Sequence, residues 1–518
     1  MLTIMKQLPL GIQNFEKLIL GDNLYVDKTA LISDIVNSFN YVFLSRPRRF
    51  GKSLLISVIE EYFNGKKELF KGLAIYDDPN WETHPVIRLD FSNMSTETED
   101  LFRSTFLSRL ESISADYGLE ISAYNEAEYF SLLIRSLAKK FKKRVVILID
   151  EYDKPITDHL DNISLAESLR DFLKSIFVRF KGNDEHIRFV FITGVSKFAK
   201  VSLFSGMNQI TDISMYEKYS TLLGYTEEEL RHYFAEFLDY LAKKRSITIK
   251  ELLAEIKHWY NGYSWDAENR LYNPFSILNL FKSMRFDNYW FSTGTPAHLV
   301  KVMKGINFDV NALQNAEANI LTFDSSSLDK IDPVNLLFQT GYLTISEKRN
   351  LYHIEEYLLN FPNFEVETSF YSYLLGAISQ SQAYEALSTA LKLKNALETD
   401  NEKLFEMTLN SLFAQIPANL YIDEERFFHS LFIMIMYLTG IEIESEVNTN
   451  IGRIDGVIEF SEKIYILEFK YNQLPEEGLK QILSKRYYEK YLQKSKKIIL
   501  LGAGFTRQAV KTVFKKLD

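Results

Sequence analysis

Short apolar runs alternate with helix-length stretches along the first 220 residues. Tyr41-Val42-Phe43-Leu44, Val86-Ile87-Arg88-Leu89-Asp90-Phe91, Val145-Val146-Ile147-Leu148-Ile149 and Ile187-Arg188-Phe189-Val190-Phe191-Ile192-Thr193-Gly194 are rich in β-branched and aromatic residues. Runs with so little polar interruption suit strands buried on both faces of a parallel sheet. Between them, residues 54–59, 99–142 and 164–180 read as helices. Strands separated by helices predict a parallel α/β sheet over residues 1–220. Upstream, Tyr25-Val26-Asp27-Lys28-Thr29 precedes an apolar helix, with Asp27 or Thr29 as its N-cap.

The pattern then changes. Residues 226–257 read as helical. Trp259–Trp265 and Tyr272-Asn273-Pro274-Phe275 are aromatic turn clusters, expected to pack a domain junction rather than to bind a ligand. In the middle region, 285–415, Leu336–Ile345 runs from a helix through Gly341 into a strand. Lys348-Arg349-Asn350 is expected as a hairpin tip, with Leu351–Ile354 returning. Helix plus hairpin resembles a winged-helix element, a module that often serves only for packing. The last block pairs an apolar helix, Phe427–Leu438, with strands at 441–447, 454–458 and 463–470.

Composition narrows the class. The 518 residues exceed one ordinary core, so two to four domains are expected. Hydrophobic content of 46% with 25% charged residues marks a globular chain. The absence of cysteine excludes disulfides and cysteine zinc sites and suits a reducing, cytoplasmic setting. The eight histidines show no paired metal-ligand spacing. No signal-peptide layout opens the chain and no apolar run reaches membrane-spanning length, so no membrane partner is expected. The net charge is −9, yet residues 479–518 hold 11 Lys/Arg against 2 Asp/Glu. A basic segment on an acidic body suits a polyanion-binding face, although a solvated helix face would read the same.

Two motifs carry one chemistry. Ser45-Arg46-Pro47-Arg48-Arg49-Phe50-Gly51-Lys52-Ser53 lies between an apolar strand and a helix. That is the layout of a phosphate-binding loop, whose helix N-terminus directs N–H groups and a dipole at an anion. Gly51 permits close approach, Lys52 supplies charge for the β/γ-phosphates, and Ser53 offers a hydroxyl to Mg²⁺. Arg46 stands where a glycine usually opens the motif, so a basic loop that happens to contain Gly-Lys-Ser is the competing reading. Asp150-Glu151, at the carboxyl end of the 145–149 strand, decides for phosphate binding. Asp150 would hold Mg²⁺ and Glu151 would orient or deprotonate a water. Thr193 and Ser196, at the end of the next strand, are candidates to sense the γ-phosphate. Together these imply ATP or GTP binding.

A second constellation lies in 425–487. Gly452-Arg453-Ile454-Asp455 is followed on the next strand by Glu468-Phe469-Lys470. The two-residue strand period places Glu468 and Lys470 on one face. Asp, then Glu-x-Lys on the adjacent strand, is similar to the active site of PD-(D/E)XK nucleases. Asp455 and Glu468 would bind Mg²⁺ through hard carboxylate oxygens, and Lys470 would stabilise charge or position water. Glu425 is a further candidate metal ligand, directly or through water, with Glu446 as its alternative. Gln481 and Tyr487, on the following basic helix, are candidates to position substrate. Glu-x-Lys alone is weak, since any edge strand can carry it; the order of elements strengthens it.

The chain as a whole resembles bacterial AAA-ATPase-like proteins with a C-terminal PD-(D/E)XK nuclease domain. The resemblance rests on Arg46–Ser53, Ile149–Asp153, Trp259–Tyr263, Phe338–Tyr342 and the Asp455/Glu468–Lys470 pattern. It implies that Arg46 is the family's form of the loop, that Arg46, Arg48, Arg49 and Phe50 belong to the ATP site, and that the partners are a nucleotide and nucleic acid. The expected architecture is α/β: a P-loop AAA-like sheet over 1–225, a helical, winged-helix-like middle over 226–415, and a restriction-endonuclease-like domain over 416–518. Arg48 and Arg49 are candidates to compensate nucleotide charge as an arginine finger would. An ATP-regulated, metal-dependent nuclease is the leading expectation. The alternatives are a nucleotide switch or scaffold that binds nucleic acid without cleaving it, and a structural protein with a degenerate loop. Homo-oligomers occur in this broad class, but nothing in the sequence fixes a ring.

Overall fold

The computed structural model describes residues 6–197, 203–204, 209–290, 310–323, 332–351, 354–379, 383–416, 424–441, 443–449 and 452–517. It divides into two compact units, Met1–Trp290 with Ala316–Asn363, and Phe291–Asn315 with Phe364–Asp518. The stretch 226–415 is thus shared between them.

The first unit is built on five parallel strands: β1 (Tyr41–Ser45), β2 (Val86–Asp90), β3 (Val145–Asp150), β4 (Ile187–Gly194) and β5 (Thr211–Asp212), in the order β2-β3-β4-β1-β5. Every position of β1 and β3 is buried, as strands covered on both faces require. Helix α1 (Lys52–Phe63) follows β1. The register sets Ser45 beside Gly194 and Ile149 beside Ile192. The loop after β1 and the acidic pair after β3 therefore emerge on either side of β4, at the carboxyl ends where ligands of such sheets bind.

Three helices, Glu227–Tyr233, Ala235–Arg245 and Ile249–Tyr260, follow the sheet, and Thr226 and Thr248 open the first and third with capping boxes. Their apolar faces share one core with Leu24 and Val26 from the N-terminal segment. A short ribbon, β6 (Asn261–Tyr263) with β7 (Leu271–Tyr272), carries the aromatic clusters. Tyr263 and Trp265 pack edge-on against Phe50 of the loop, with centroids 4.8 and 5.3 Å away.

An antiparallel sheet, ordered β8-β10-β9, joins β8 (Ala316–Asn319), β9 (Thr344–Leu351) and β10 (Ile354–Asn360), with helix α2 (Pro333–Thr340) leading into β9. Here one expectation is corrected. Lys348, Arg349 and Asn350 are not a hairpin tip but lie inside β9, opposite Tyr357, Glu356 and Glu355. Residues 352–353, expected in the returning strand, lie outside the described residues. Polar residues suggested a turn, but this stretch is ladder-paired and Lys348 is ion-paired at 2.9 Å to Glu355.

The second unit holds helix α3 (Glu402–Phe413), helix α4 (Glu425–Leu438) and a mixed sheet ordered β11-β12-β13-β14-β15. Its strands are β11 (Ile443–Thr449), β12 (Gly452–Glu459), β13 (Lys463–Tyr471), β14 (Lys497–Phe505) and β15 (Val510–Lys516). Only the β13–β14 pair is parallel, with helix α5 (Pro475–Ser484) as its crossover. Gly502 lets α5 close onto β14, since a Cβ there would collide with the Pro475 carbonyl. Helix α3 covers the outer edge of β15. Glu402, Glu406 and Asn410 accept from the N–H groups of Phe514, Thr512 and Val510 at 3.1, 2.7 and 2.8 Å. Four helical residues rise about 6 Å and two strand residues about 6.8 Å, so side chains at i, i+4 and i+8 match alternate N–H groups along the edge. An edge open to further pairing is thereby closed.

Candidate functional site

The phosphate loop turns into α1 at Gly51, whose φ of +94° favours glycine. Lys52 is buried and donates to the carbonyls of Arg46 and Pro47, both at 2.9 Å. Burial lowers its pKa, while the nearby Glu151, Asp150 and Asp153 charges oppose that shift. Across β4, Asp150 is 1% exposed. Its Oδ1 accepts from the Glu151 N–H at 3.0 Å, and its Oδ2 has no hydrogen-bond partner among the described residues. Burial raises the Asp150 pKa, and the Ser53 hydroxyl beside this carboxyl opposes that shift. Glu151, half-buried, is likewise raised by burial and lowered by Lys52. The structure thus brings Lys52, Ser53, Asp150 and Glu151 together.

The arginines divide. Arg46 is buried and donates to the carbonyls of Ser45 and Ser214 at 2.9 and 2.8 Å, with its guanidinium 4.0 Å over Trp265. Arg49 donates to the carbonyls of Tyr289 and Trp290 at 2.6 and 2.9 Å and lies over Phe275. These two brace the loop, and Phe50 is its buried plug. In this structure Arg46 and Arg49 are engaged by main-chain carbonyls, the partners that desolvated guanidinium groups take. Arg48 is exposed at the tip.

Thr193 lies deeper in the sheet. It is fully buried, and its hydroxyl donates to Leu44 O at 2.8 Å, across the β1–β4 ladder. Ser196 donates its hydroxyl to Asp153 at 2.7 Å.

A feature without a sequence signal adjoins Gly51 and Leu54. It is an apolar pocket of about 80 Å³, lined among others by Pro9, Leu24, Val26, Leu223 and Pro274. Its walls come from four separated segments, so no motif marks it.

In the second unit, Glu468 is 1% exposed on β13. Its Oε1 accepts from the Gln481 amide and, at 3.1 Å, from Lys470 Nζ. Its Oε2 has no hydrogen-bond partner among the described residues. Asp455 accepts from the Phe469 N–H at 2.7 Å. Burial raises both pKa values, Glu468 to about 8 with the Asp455 charge adding to it and Lys470 opposing it. His429, on α4, contacts the Asp455 carbonyl at 2.8 Å. The sequence offered no reason to place this lone histidine here.

Tyr487 is 3% exposed, with its ring in the core of Val447, Ile454 and Ile464. Glu425 accepts from the Tyr471 N–H at 3.0 Å, two residues further along β13 than the N–H held by Asp455. Among the described residues no three His, Asp or Glu side chains converge as a metal cage. The Glu446 side chain lies outside the described residues. The basic C-terminal segment is partly neutralised: Lys494 and Lys496 pair with Glu459, and Lys497 with Asp400.

The residues present fit divalent cations. A buried carboxylate oxygen without a donor is costly unless a cation meets it. Asp150 Oδ2 with Ser53, and Glu468 Oε2 with Asp455, each offer few protein oxygens. That suits a divalent cation that keeps waters and takes substrate phosphate oxygens.

Comparison with known proteins accords with this geometry. A family model described as Predicted AAA-ATPase matches residues 9–204, and one described as PD-(D/E)XK nuclease superfamily matches residues 423–515. A protein of Azotobacter chroococcum mcd 1, described as "Uncharacterized protein in vnfD 5'region", is 36% identical over 515 residues, spanning 97% of each chain. No helix among the described residues is long and apolar enough to cross a membrane. The chain belongs to a family of AAA-ATPase-like proteins that carry a PD-(D/E)XK nuclease superfamily domain toward the C-terminus.

Proposed function

We propose that the first unit binds and hydrolyses ATP with Mg²⁺ and that the second cleaves nucleic-acid phosphodiesters with the same cation. The observation that carries the reading is a buried carboxylate oxygen that lacks a donor, found twice: Asp150 Oδ2, within the field of Lys52, and Glu468 Oε2, whose other oxygen is paired with Lys470. In the first unit, Lys52 would leave its loop carbonyls for the β/γ-phosphates, Ser53 and Asp150 would hold the cation, and Glu151 would orient the attacking water. The cavity beside Gly51 would take the base, and Arg48 at the exposed tip would face phosphate charge.

In the second unit, Asp455 and Glu468 would hold the cation. When bound, it would supply Lewis-acid polarisation of the phosphodiester and a more acidic water. Gln481 and Lys470 keep Glu468 oriented by sharing its Oε1, and Lys470 would offset charge on the phosphate. The test is cleavage of plasmid, single-stranded DNA and RNA with Mg²⁺ or Mn²⁺, with and without ATP, by wild type, Lys52→Ala and Lys470→Ala. Cutting that survives Lys470→Ala would refute the site. No cutting under any condition, with nucleotide binding retained, would favour a nucleotide-dependent binding protein.

A further inference from the structure

We infer that Gln339 is a positioning residue for nucleotide turnover, holding the main chain beyond β4 from a helix outside the nucleotide-binding sheet. This rests on the ATP reading above. Gly194 ends β4 beside Ser45, and its carbonyl accepts from the Arg46 N–H at 3.1 Å. Residues 194–197 therefore begin against the base of the phosphate loop.

Two grips hold that segment. From the acidic strand comes Asp153, three residues past Asp150 and 2% exposed. Its carboxylate accepts from the N–H groups of Val195 and Ser196 at 3.2 and 2.6 Å and from the Ser196 hydroxyl at 2.7 Å. From α2 comes Gln339, 5% exposed, whose Oε1 accepts from the Lys197 N–H at 2.6 Å. Its Nε2 donates to Asn335 Oδ1 at 2.7 Å and to Phe323 O at 3.2 Å. The backbone donor on one side and the backbone acceptor on the other fix which amide atom is which. Lys197 Nζ is tied to Asp212 at 2.9 Å, so the residue is held at both ends.

The same helix also touches the loop. Gly341 caps α2 with φ +89°, and a Cβ there would stand 2.6 Å from the Pro47 Cβ. One short helix thus meets the nucleotide site at Pro47 and at Lys197. The hydroxyls of Thr193 and Ser196 are spent on Leu44 and Asp153. The placement of the segment against Tyr152 and the base of the phosphate loop consequently depends on Asp153 and Gln339 together. Removing the Gln339 carbonyl would leave the buried Lys197 N–H unpaired and let the segment move. A displacement of about 1 Å in a catalytic constellation can cost about a hundredfold in rate.

The experiment uses the full chain and measures ATP turnover and fluorescent ATP-analogue binding for wild type, Gln339→Ala, Gln339→Met and Gln339→Glu. Ser196→Ala is measured alone and combined with Gln339→Ala. Analogue affinity is expected to stay within about threefold, while kcat per binding-competent molecule falls about tenfold or more in Gln339→Ala and Gln339→Met. Gln339→Glu, which keeps an acceptor for Lys197, should recover part of the loss. The double variant should lose less than the product of the single losses, because both act through one segment. An unchanged kcat, a loss that vanishes when referred to binding-competent molecules, or strictly multiplicative losses would overturn the inference and leave the ATP reading standing. Failure of wild type to bind nucleotide, or to turn it over, would overturn it by removing the reaction it serves.

Discussion

Replacing Glu468 by glutamine should make the metal-free second unit more stable while removing its cation. The carboxyl is 1% exposed, and its pKa is pushed from 4.5 up to about 8 by burial and by Asp455. A shift of that size corresponds to roughly 4–5 kcal/mol against the ionised form. Part of that penalty is repulsion that Asp455 shares, and the amide keeps some desolvation cost of its own, so the expected gain is about 2 kcal/mol. Gln481 and Lys470 can still donate to the amide oxygen, while the new N–H group faces Asp455. The sign follows from linkage. The folded pKa lies above the unfolded one, so the native state holds more protons between pH 4.5 and about 8, and wild-type stability falls as pH rises through that window. Glutamine does not titrate. The variant should therefore match wild type below pH 4.5 and exceed it by the full amount above about pH 8. Hydrogen exchange of the β13 and β14 amides in EDTA reads this locally. Adding Mg²⁺ at a hundredfold its Kd should then protect wild type by about 2.7 kcal/mol and the variant not at all. A gap that does not change with pH, or equal protection of both by Mg²⁺, would refute the reasoning.

Other outcomes follow from the same contacts. Arg49→Ala should destabilise the first unit by about 2 kcal/mol in urea titration, since two charge-assisted bonds to carbonyls are lost. Arg48→Ala, at an exposed position, should leave stability unchanged and weaken ATP turnover; the reverse pattern would overturn the division of roles. Leu54→Trp should fill the cavity beside Gly51 and weaken ATP binding about tenfold while sparing inorganic triphosphate, as competition binding would show. Glu406→Ala strands the Thr512 N–H and should cost about 1–2 kcal/mol in the second unit, seen as faster exchange along β15.

Sequence alone determined what local order controls. The apolar run into Gly51-Lys52-Ser53, the Asp150-Glu151 pair closing β3, and the alternation that puts Glu468 and Lys470 on one strand face are all set within a few residues. Backbone period and side-chain chemistry act at that range, so these features were legible before any fold. Tertiary structure decided how those groups are used. Arg46 and Arg49 read only as basic residues of the nucleotide loop, and the fold brings them carbonyls of Ser214 and Tyr289, about 170 and 240 residues away. Thr193 was engaged by Leu44, Tyr487 by the core beneath β12, and Glu425 by the Tyr471 N–H. The cavity and the Gln339 contact to Lys197 likewise join distant segments. Once buried, a polar group takes whichever partner the fold brings within about 3 Å, and that choice depends on which chains of contacts close in space, not on neighbours in sequence.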